Sequence, residues 1–506
     1  MDELLDIEKG GVRPVNKEES RSFYSMIMTY EQDEKRQKWI KDCDECLNFA
    51  HGKQWTDSEI EANIAKGQYT LTMNKLKKGI NNEIGMLLAN RPTYHSFPQG
   101  EDDTSKSAIT NKLLQWVWTN SSGDHLQRDI YKNSAYSNIA YFYINYSEID
   151  NQVKFKRLNY NEVIIDPYST DMFSRDADWI FLKRSVNIDT LKEKYGIDTV
   201  NFDVEADIMQ LNSGGNFHTW LGSVTNTYQT QATVYEGYHR FVKDGKYRIK
   251  QKVMLGFDKC YEILLPDHIT NYPIVPAVIE DTGNPYKTGD VHDKKDLQRF
   301  INKAFGTMIL SAQLSSNPKI FLRENDIPDG DVTAFQANYA RPGSINTLRP
   351  GAENPTVIAG EPINQAFLIL FQSVVRELEF GLVPDEIANS INSQGNAPDL
   401  YQLRETIVDS LKVLISTVEM CMELVGKVAL QYCKAYIIKE SLLRIIDDQG
   451  KIKSFYVNKT VNKIYKKEKA ILDLSILMVG LSKKVDKLEE RIKKLETPWF
   501  KRVCRF

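Results

Sequence analysis

The chain has 506 residues and a formal net charge of −3 at pH 7, with 42% hydrophobic and 26% charged residues. These values are typical of a folded protein, and the length predicts two to four domains rather than one core. They exclude an overall polycation, and six cysteines in this length exclude a disulfide framework. No apolar run approaches the ~20 residues that span a bilayer, and the acidic start "MDELLDIEKGG" is unlike a secretory signal. We therefore expect a reducing, cytoplasm-like compartment and no membrane partner.

The charge is unevenly distributed along the chain. Residues 451–506 contain sixteen Lys and Arg against six Asp and Glu, which makes this tail strongly basic. The remainder of the chain is correspondingly acidic. A basic C-terminal region on an acidic body is the main electrostatic feature of the sequence.

The N-terminal region predicts helices around a short turn. Residues 1–20 are polar and are expected to be mobile, residues 21–50 predict one helix, and a short helix is predicted near 57–66. A helix over 74–90, ended by Pro92, carries one apolar stripe at helical spacing, made of Leu76, Ile80, Ile84, Leu87 and Leu88. We expect the stripe to form core together with Tyr69, Leu71, Met73 and Trp55 of the turn "HGKQW".

The next part of the sequence mixes helices and strands. A long helical stretch over 104–137 is interrupted by "NSSGD" at 120–124. Alternating apolar residues and turn residues then predict a set of strands over 139–148, 152–160, 162–171, 177–186 and 232–280, with a short helix at 188–196.

Three long helices dominate the second half. They are predicted over residues 288–316, 362–381 and 399–439, with Asp290 and Pro362 near the starts of the first two. Short strands are predicted within 319–360, and a polar Asn- and Ser-rich loop occupies 382–399.

The C-terminal tail has a heptad pattern. Over residues 471–495 the apolar positions alternate by three and four with Lys and Glu between them, which predicts a coiled coil and hence self-association. These positions are Ile471, Leu474, Met478, Leu481, Val485, Leu488, Ile492 and Leu495.

Motifs of known catalytic chemistry are missing from the sequence. It contains no phosphate-binding GxxxxGK[ST] loop, no GxSxG elbow and no HExxH pair. Cys43 and Cys46 form one CxxC followed by His51, but no second ligand pair is near, so two half-buried helical thiols are expected rather than a metal site. The acidic stretches "DEC", "EDD" and "IDD" are interpreted as solvated surfaces. We therefore expect no catalytic residues, no cofactor and no metal.

Several short patterns in fixed order resemble the portal proteins of double-stranded-DNA tailed bacteriophages, the P22-like portal family. They are "NFAHGKQW", "LTMNKLKKGINNEIGMLLANRPTYHSFPQGEDD", "NYNEVIIDPYSTDMFSRDADWIFLKR", "GDVHDKKDLQRFINK" and "GLVPDEIANSINSQGNAPDLYQLRET". The resemblance covers roughly residues 20–440. The heptad helix and the ending "PWFKRVCRF" have no counterpart in it.

The resemblance implies an α+β portal fold: long helices, a β-rich wing, a small α/β clip and a C-terminal coiled-coil helix in a subunit that forms rings, typically of twelve. It implies a mobile segment over 1–20, followed by the wing (21–287), first stem helix (288–316), clip (317–360), second stem helix (361–382), tunnel loop (383–398), long wing helix (399–440) and crown or barrel (441–506). It places the protein at one capsid vertex of the virion, after assembly in the host cytoplasm.

The resemblance also implies partners and candidate residues. The ring would pass double-stranded DNA and contact the terminase large subunit, a head-completion adaptor, the major capsid protein and the scaffolding protein. The tunnel loop would approach DNA through Asn389, Ser390, Asn392, Ser393, Gln394 and Asn396. The clip would dock terminase and adaptor through Lys319, Arg323, Arg341 and Arg349.

Two other functions remain open from the residues. One is a metal-dependent phage nuclease that uses dispersed carboxylates around residues 281–299. The other is a different ring-forming virion protein, such as a collar or tail component. The basic tail has two interpretations as well, either facing packaged DNA or serving only as an oligomerisation helix.

Overall fold

The computed structural model describes residues 13–89, 94–97, 104–147, 150, 152–187, 231–256, 259–316, parts of 319–358, 364–380, 398–437, 441–446 and 452–457. Both helices and sheets are present, so the predicted α+β class is confirmed. The chain divides into two compact units. The first comprises Met1–Pro92, Asp124–Tyr143 and Phe155–Val425, and the second comprises Thr93–Gly123, Ile144–Lys154 and Gly426–Phe506.

The helices of the described residues follow the predicted order. They are α1 (Lys17–Glu31), α2 (Glu34–Ala50), α3 (Asp57–Ala65), α4 (Lys75–Ala89), α5 (Thr104–Asn120), α6 (Gly123–Ser137), α7 (Asp290–Ser316), α8 (Val332–Tyr339), α9 (Gln365–Phe380) and α10 (Pro398–Tyr436).

The strands form four antiparallel sheets. They are β1 (Arg13–Pro14), β2 (Ala140–Ser147), β3 (Gln152–Asn159), β4 (Val163–Ile165), β5 (Trp179–Asn187), β6 (Gln231–Lys243), β7 (Lys246–Leu255), β8 (Lys259–Leu264), β9 (Ile274–Ala277), β10 (Lys319–Phe321), β11 (Thr356–Ile358), β12 (Ser441–Ile446) and β13 (Ile452–Val457). The strand orders are β1-β8-β7-β6-β5-β4, β3-β2-β9, β10-β11 and β12-β13.

The six-stranded sheet supports the core of the first unit. Its central hairpin, β6–β7, turns at Asp244 and Gly245, whose φ angles of 54° and 73° suit the left-handed turn that this dipeptide favours. Helix α1 packs on the sheet through the buried side chains of Phe23 and Ile27. The helix approaches closely because Gly237 leaves room: a Cβ there would lie 2.6 Å from the Phe23 ring.

The helix predicted over 21–50 is wrong as a single element. It is two helices, because Asp33 interrupts it and caps α2 by accepting a hydrogen bond from the Arg36 amide at 3.1 Å. The segment 1–20, predicted to be mobile, contains regular structure in its second half. Residues 13–14 form β1, paired with Tyr261 and Glu262, and α1 begins at Lys17.

Helix α4 has the predicted apolar stripe, but its neighbours differ from expectation. Leu76, Ile80, Ile84 and Leu87 are buried, whereas Tyr69 and Leu71 are each 42% exposed. Trp55 is half-buried, and its indole N–H donates to the Leu71 carbonyl at 3.3 Å. The segment before α4 is therefore bound through backbone hydrogen bonds and through the Tyr69 hydroxyl, which accepts from Gln313 Nε2 at 2.6 Å, rather than by burial of its large side chains.

The second unit is built on a hairpin that the sequence reading did not predict. Strands β12 and β13 pair from Ser441↔Val457 to Ile446↔Ile452 and pack on α5. Near them, the rings of Tyr146 and Tyr436 stack with centroids 4.5 Å apart.

Several predictions lie outside the described residues. They concern the helix at 188–196, the acidic stretch "EDD", the two aspartates of "IDD", the tunnel loop and the heptad tail. Among the residues that are described, no helix is both long and apolar enough to cross a membrane.

Candidate functional site: an anchored helix pair

Helices α7 and α9 form a packed pair that brackets the small segment of β10, α8 and β11. Both also pack against α4. Lys75 at the start of α4 reaches the end of α9, where its Nζ lies 3.1 Å from Glu379 Oε1. Helices are thus present and adjacent at both predicted positions, 288–316 and 362–381, although α9 begins at Gln365, three residues after Pro362.

A ladder of buried amide side chains anchors the first half of α7. Gln298 and Asn302 lie one helical turn apart and are essentially inaccessible to solvent. Gln298 Oε1 accepts from the Lys75 amide at 3.0 Å, and its Nε2 donates to the Met73 carbonyl at 2.7 Å. Asn302 Oδ1 accepts from the Met73 amide at 3.0 Å. The two side chains therefore bind residues 73–75 as a neighbouring strand would.

The "HGKQW" turn completes this anchor. Asn302 Nδ2 donates to Gln54 Oε1 at 2.6 Å, and Gln54 Nε2 donates to the Phe49 carbonyl at 3.0 Å. One turn further along α7, the backbone approaches so closely that a Cβ on Gly306 would lie 2.9 Å from the Tyr69 carbonyl oxygen. The turn and the "LTMN" segment lie together near the start of the chain because both bind α7.

The anchor was missed in the sequence because its members are polar. Gln298 and Asn302 interrupt the apolar side of α7, and their i,i+4 spacing was the available signal. A polar pair at that spacing reads as a solvated surface unless a backbone segment is known to lie against it. Burial makes the ladder specific, because each unmet hydrogen bond there would cost about 1–3 kcal/mol.

Charged side chains join α2 to the first turns of α7. Asp42 Oδ1 lies 2.8 Å from Lys295 Nζ, and Asp42 Oδ2 lies 2.7 Å from His292 Nδ1. Glu45 forms an ion pair with Arg299 and lies 3.3 Å from Lys295 Nζ. Burial acts to raise the pKa of Asp42, but hydrogen bonds from Lys295 and Asn138 outweigh it, so this pKa is lowered. Asp42 is therefore an ionised, fully hydrogen-bonded group.

The cysteines of the CxxC pair are more buried than predicted. The side chains of Cys43 and Cys46 are both fully buried, and burial raises the pKa of the Cys46 thiol to about 12. The neighbouring "DEC" carboxylates are not simply solvated either. Asp44 is half-buried and accepts a short hydrogen bond from the Tyr160 hydroxyl. Cys43, Asp44 and Cys46 therefore lie on the side of α2 that faces the protein interior.

A second carboxylate pair is buried between α4 and α7. Glu83 is 7% exposed and Asp290 is 8% exposed. Asp290 Oδ1 pairs with Lys294 Nζ at 2.7 Å, while Glu83 Oε2 and Asp290 Oδ2 have no hydrogen-bond partner in the described part of the chain. Burial, and then the charge of Asp290, raise the pKa of Glu83 well above its ordinary value.

Helix α9 is apolar around its whole circumference at its N-terminal end. Phe367, Leu368, Ile369, Leu370 and Phe371 are consecutive, and five residues cover more than one full turn. In the single chain Ile369 is 60% exposed and Leu370 is 50% exposed, whereas Leu378 near the other end of the helix is buried. A helix that is apolar on all sides is typical of one that is covered on all sides.

Comparison with known proteins shows which family the sequence matches. The model of the phage P22-like portal protein family matches residues 27–482 of the chain. The chain belongs to that family. It is also 20% identical over 431 residues to the portal protein of Helicobacter pylori bacteriophage KHP30, across 82% of this chain and 66% of that protein. The chain thus spans just under two thirds of the length of this curated relative.

Membership in the portal family makes the chain a phage structural protein of the head-to-tail connector type. Family membership also agrees with the ion pairs that three carboxylates within residues 281–299 form. Asp281 pairs with Lys287 at 2.6 Å, Asp290 pairs with Lys294, and Asp296 lies 3.5 Å from Arg299. Each of these carboxylates neutralises a cation of its own loop or helix.

The predicted docking cations lie on the segment between the helices of the pair. Strand β10 pairs with β11 through Lys319↔Ile358, and α8 is an element that the strand prediction for 319–360 omitted. Arg323, Arg341 and Arg349 are exposed, and Arg323 lies 3.2 Å from Glu353. Apolar side chains are exposed on the same segment, with Phe321 at 58% and Ile345 at 88%.

Proposed function

We propose that the chain is the ring-forming subunit of a phage portal, twelve copies of which surround a channel for double-stranded DNA at one capsid vertex. The ring admits the genome during packaging and releases it during ejection. Family membership supports the general assignment. The observation that carries the ring is the apolar, exposed N-terminal half of α9, because nothing in the described part of its own chain covers Ile369.

The anchor gives this proposal a mechanical basis. The polar ladder holds the first half of α7 in the wing, so the opposite ends of α7 and α9 project as a pair with the β10–α8–β11 segment at their tip. Neighbouring subunits would cover the apolar side of α9. The pair would then line the ring, and the segment at its tip would be accessible to other proteins.

The charge balance suits a conduit for DNA. A channel that binds phosphates tightly would retain a polyanion, since each Lys or Arg contact adds affinity that depends on salt. The body of this chain is acidic, and the proposed tunnel loop over 383–398 is uncharged between residues 389 and 396. We assign Asn389, Ser390, Asn392, Ser393, Gln394 and Asn396 to weak contacts with passing DNA.

Docking is assigned to the segment at the tip of the pair. Lys319, Arg323, Arg341 and Arg349 would meet acidic surfaces of the terminase large subunit and later of the head-completion adaptor. Exposed Phe321 and Ile345 would supply the apolar contacts. The scaffolding and major capsid proteins would bind elsewhere on the ring during assembly in the host cytoplasm.

The heptad positions Leu474, Met478, Leu481, Val485, Leu488, Ile492 and Leu495 are assigned to self-association in the crown or barrel. Whether the basic tail also contacts packaged DNA depends on which side of the ring it occupies. Three of the carboxylates that the nuclease would use, Asp281, Asp290 and Asp296, form local ion pairs instead.

Single-particle electron microscopy of the purified chain tests the ring. End-on views of the unaltered protein are expected to show closed rings of about twelve subunits with a central channel. Ile369→Asp places a charge in the apolar surface of α9 and is expected to abolish the rings. Gln372→Asp, one turn further along the same helix at an exposed polar position, is the matched control and is expected to preserve them.

Two outcomes would count against the proposal. Rings that form equally well with Ile369→Asp would show that α9 is not the subunit interface. A protein that stays monomeric with and without scaffolding protein, and that cleaves DNA with added Mg²⁺, would favour the nuclease instead.

A further inference from the structure

The contact between α2 and α7 holds a mixed set of ligand atoms. Asp42 and Cys46 are one turn apart on α2, so their side chains lie on the same face, and His292 reaches them from the first turn of α7. One ligand atom of each residue lies within 4.8 Å of the others. Among the residues that the structure describes, this is the one such group of three or more His, Cys, Asp or Glu side chains.

We propose that Asp42, Cys46 and His292 bind one divalent transition-metal ion, with zinc as the best fit. One thiolate, one imidazole and one carboxylate form a donor set that suits zinc and cobalt and does not suit magnesium or calcium, which take oxygen ligands. An i,i+4 ligand pair on one helix completed by a residue from a second element is an established arrangement for such ions. A water molecule would complete a tetrahedral site.

The ion pair between Asp42 and Lys295 is compatible with this site because the carboxylate divides its oxygens. Lys295 contacts Oδ1 at 2.8 Å, whereas His292 Nδ1 contacts Oδ2 at 2.7 Å. The ion would lie between Oδ2 and Nδ1, with the proton of the neutral imidazole on Nε2, and the two ligand atoms would separate to roughly 3.3 Å in a tetrahedral site. Lys295 and Asn138, which donates to Oδ2 at 2.9 Å, would then orient the ligand from outside.

Metal binding at this site requires Cys46 to lose its thiol proton. Binding removes the thiol proton of Cys46 and leaves a metal thiolate, so one proton is released to solvent for each ion bound. Apparent affinity should therefore rise with pH, because the released proton competes with the ion for the sulfur.

The structure offers a route to the buried sulfur. The His292 side chain is 37% exposed and the Asp42 side chain 21% exposed, so an ion can enter from solvent on that side. A bound ion would link the wing helix α2 to the start of α7 and would strengthen the same junction that the amide ladder holds. The inference does not depend on ring formation, since all three ligands belong to one chain.

Titration of the full-length, metal-free chain with Co²⁺ tests the site. We expect one ion per chain with a thiolate-to-cobalt charge-transfer band in the near ultraviolet, displaced by an equivalent of Zn²⁺. Cys46→Ser is expected to remove the band. Cys43→Ser is the matched control, since Cys43 is equally buried on the same helix but outside the cluster, and is expected to retain it. His292→Ala should weaken binding at least tenfold and, being at a part-exposed site, should fold normally.

The remaining outcomes overturn the inference. Absence of a stoichiometric band, a band unaffected by Cys46→Ser, or equal affinity in His292→Ala and the unaltered chain would each show that these residues hold no ion. Circular dichroism of each variant separates loss of binding from loss of fold. Failure of the portal ring would leave these results unchanged, so the two proposals fail independently.

Discussion

Helices α7 and α9 of the anchored pair differ in how their first halves are covered. Helix α7 completes its first half within the chain, where Gln298 and Asn302 meet partners on the 73–75 segment and on Gln54. The first half of helix α9 keeps large apolar side chains exposed: Ile369 is 60% exposed and Leu370 is 50% exposed. The first region is packed within the described part of the chain, whereas the second still exposes apolar surface there.

This contrast separates folding from assembly. A buried polar ladder fixes the relative position of two segments, because a displaced segment would leave hydrogen-bonding groups unpaired at a cost in free energy. Contacts between apolar surfaces are non-directional and tolerate small displacements better. A subunit that folds before it assembles benefits from a polar ladder in its interior and an apolar surface on its exterior. Mutations in the two regions should therefore affect different measurements, namely subunit stability for α7 and oligomer yield for α9.

Breaking the ladder should have the largest effect on stability. Asn302→Ala removes the acceptor for the Met73 amide and the donor for Gln54 Oε1, so it is expected to destabilise the subunit by about 2–4 kcal/mol. Thermal unfolding of the monomeric protein measures this change. Lys303→Ala, the next and exposed position on α7, should stay within about 0.5 kcal/mol, and an equal loss in both variants would contradict the role of the ladder.

Two helical glycines should respond in opposite directions to the same substitution. At Gly306 the new Cβ would lie 2.9 Å from the Tyr69 carbonyl oxygen, so Gly306→Ala is expected to destabilise by about 1–3 kcal/mol. At Gly85 on α4 nothing lies within 4 Å of the new Cβ, so Gly85→Ala should stabilise by about 0.5–1 kcal/mol through helix propensity. Parallel melting curves would test both, and shifts of the same sign would refute the close approach at Gly306.

Buried Glu83 predicts a pH-dependent difference in stability between the unaltered chain and Glu83→Gln. The pKa of Glu83 is raised in the folded state, to about 8, so the folded protein holds a proton that the unfolded chain releases above about pH 4. Its stabilising contribution is therefore complete at low pH and is lost as pH rises toward 8. Glu83→Gln has no such loss. Its stability relative to the unaltered chain should grow by at most about 1.4 kcal/mol per pH unit between pH 5 and 8, and a constant difference would show that Glu83 does not titrate there.

Sequence patterns predicted what depends on local periodicity. The stripe of α4, helices α7 and α9, and most strands of the sheets lie where the sequence pattern predicted them. Asp33 and the Asp244–Gly245 turn also carried readable signals, a cap residue and a left-handed turn pair, that were not used to divide α1 from α2 or to position the β6–β7 hairpin.

The site depended on tertiary information that periodicity lacks. The sequence identified "HGKQW" and "LTMN" as related, but nothing local shows that their backbones bind Gln298 and Asn302 more than 220 residues away. Exposure was misjudged for a similar reason. Tyr69 and Leu71 are large, yet both remain 42% exposed, because α7 approaches the Tyr69 carbonyl at Gly306 and reaches the Tyr69 hydroxyl through Gln313 Nε2 at 2.6 Å. Cys46 was weighed against Cys43 and His51, its neighbours in sequence, whereas Asp42 and His292 are its neighbours in space.

The smallest stability effect is expected at the tip of the pair, where it distinguishes docking from folding. Arg323 and Glu353 lie 3.2 Å apart with side chains 73% and 72% exposed, and an ion pair so open to water contributes well under about 1 kcal/mol. Arg323→Ala should therefore leave the melting temperature and the ring unchanged. If the segment between α7 and α9 docks the adaptor, the same variant should bind adaptor more weakly and with a reduced dependence on salt, because a rim cation acts mainly through long-range attraction. Arg175→Ala, at an exposed arginine between β4 and β5, serves as the control for any general effect of charge. Equal adaptor affinity in both variants would show that Arg323 is not part of the docking surface. It would not affect the anchored helix pair.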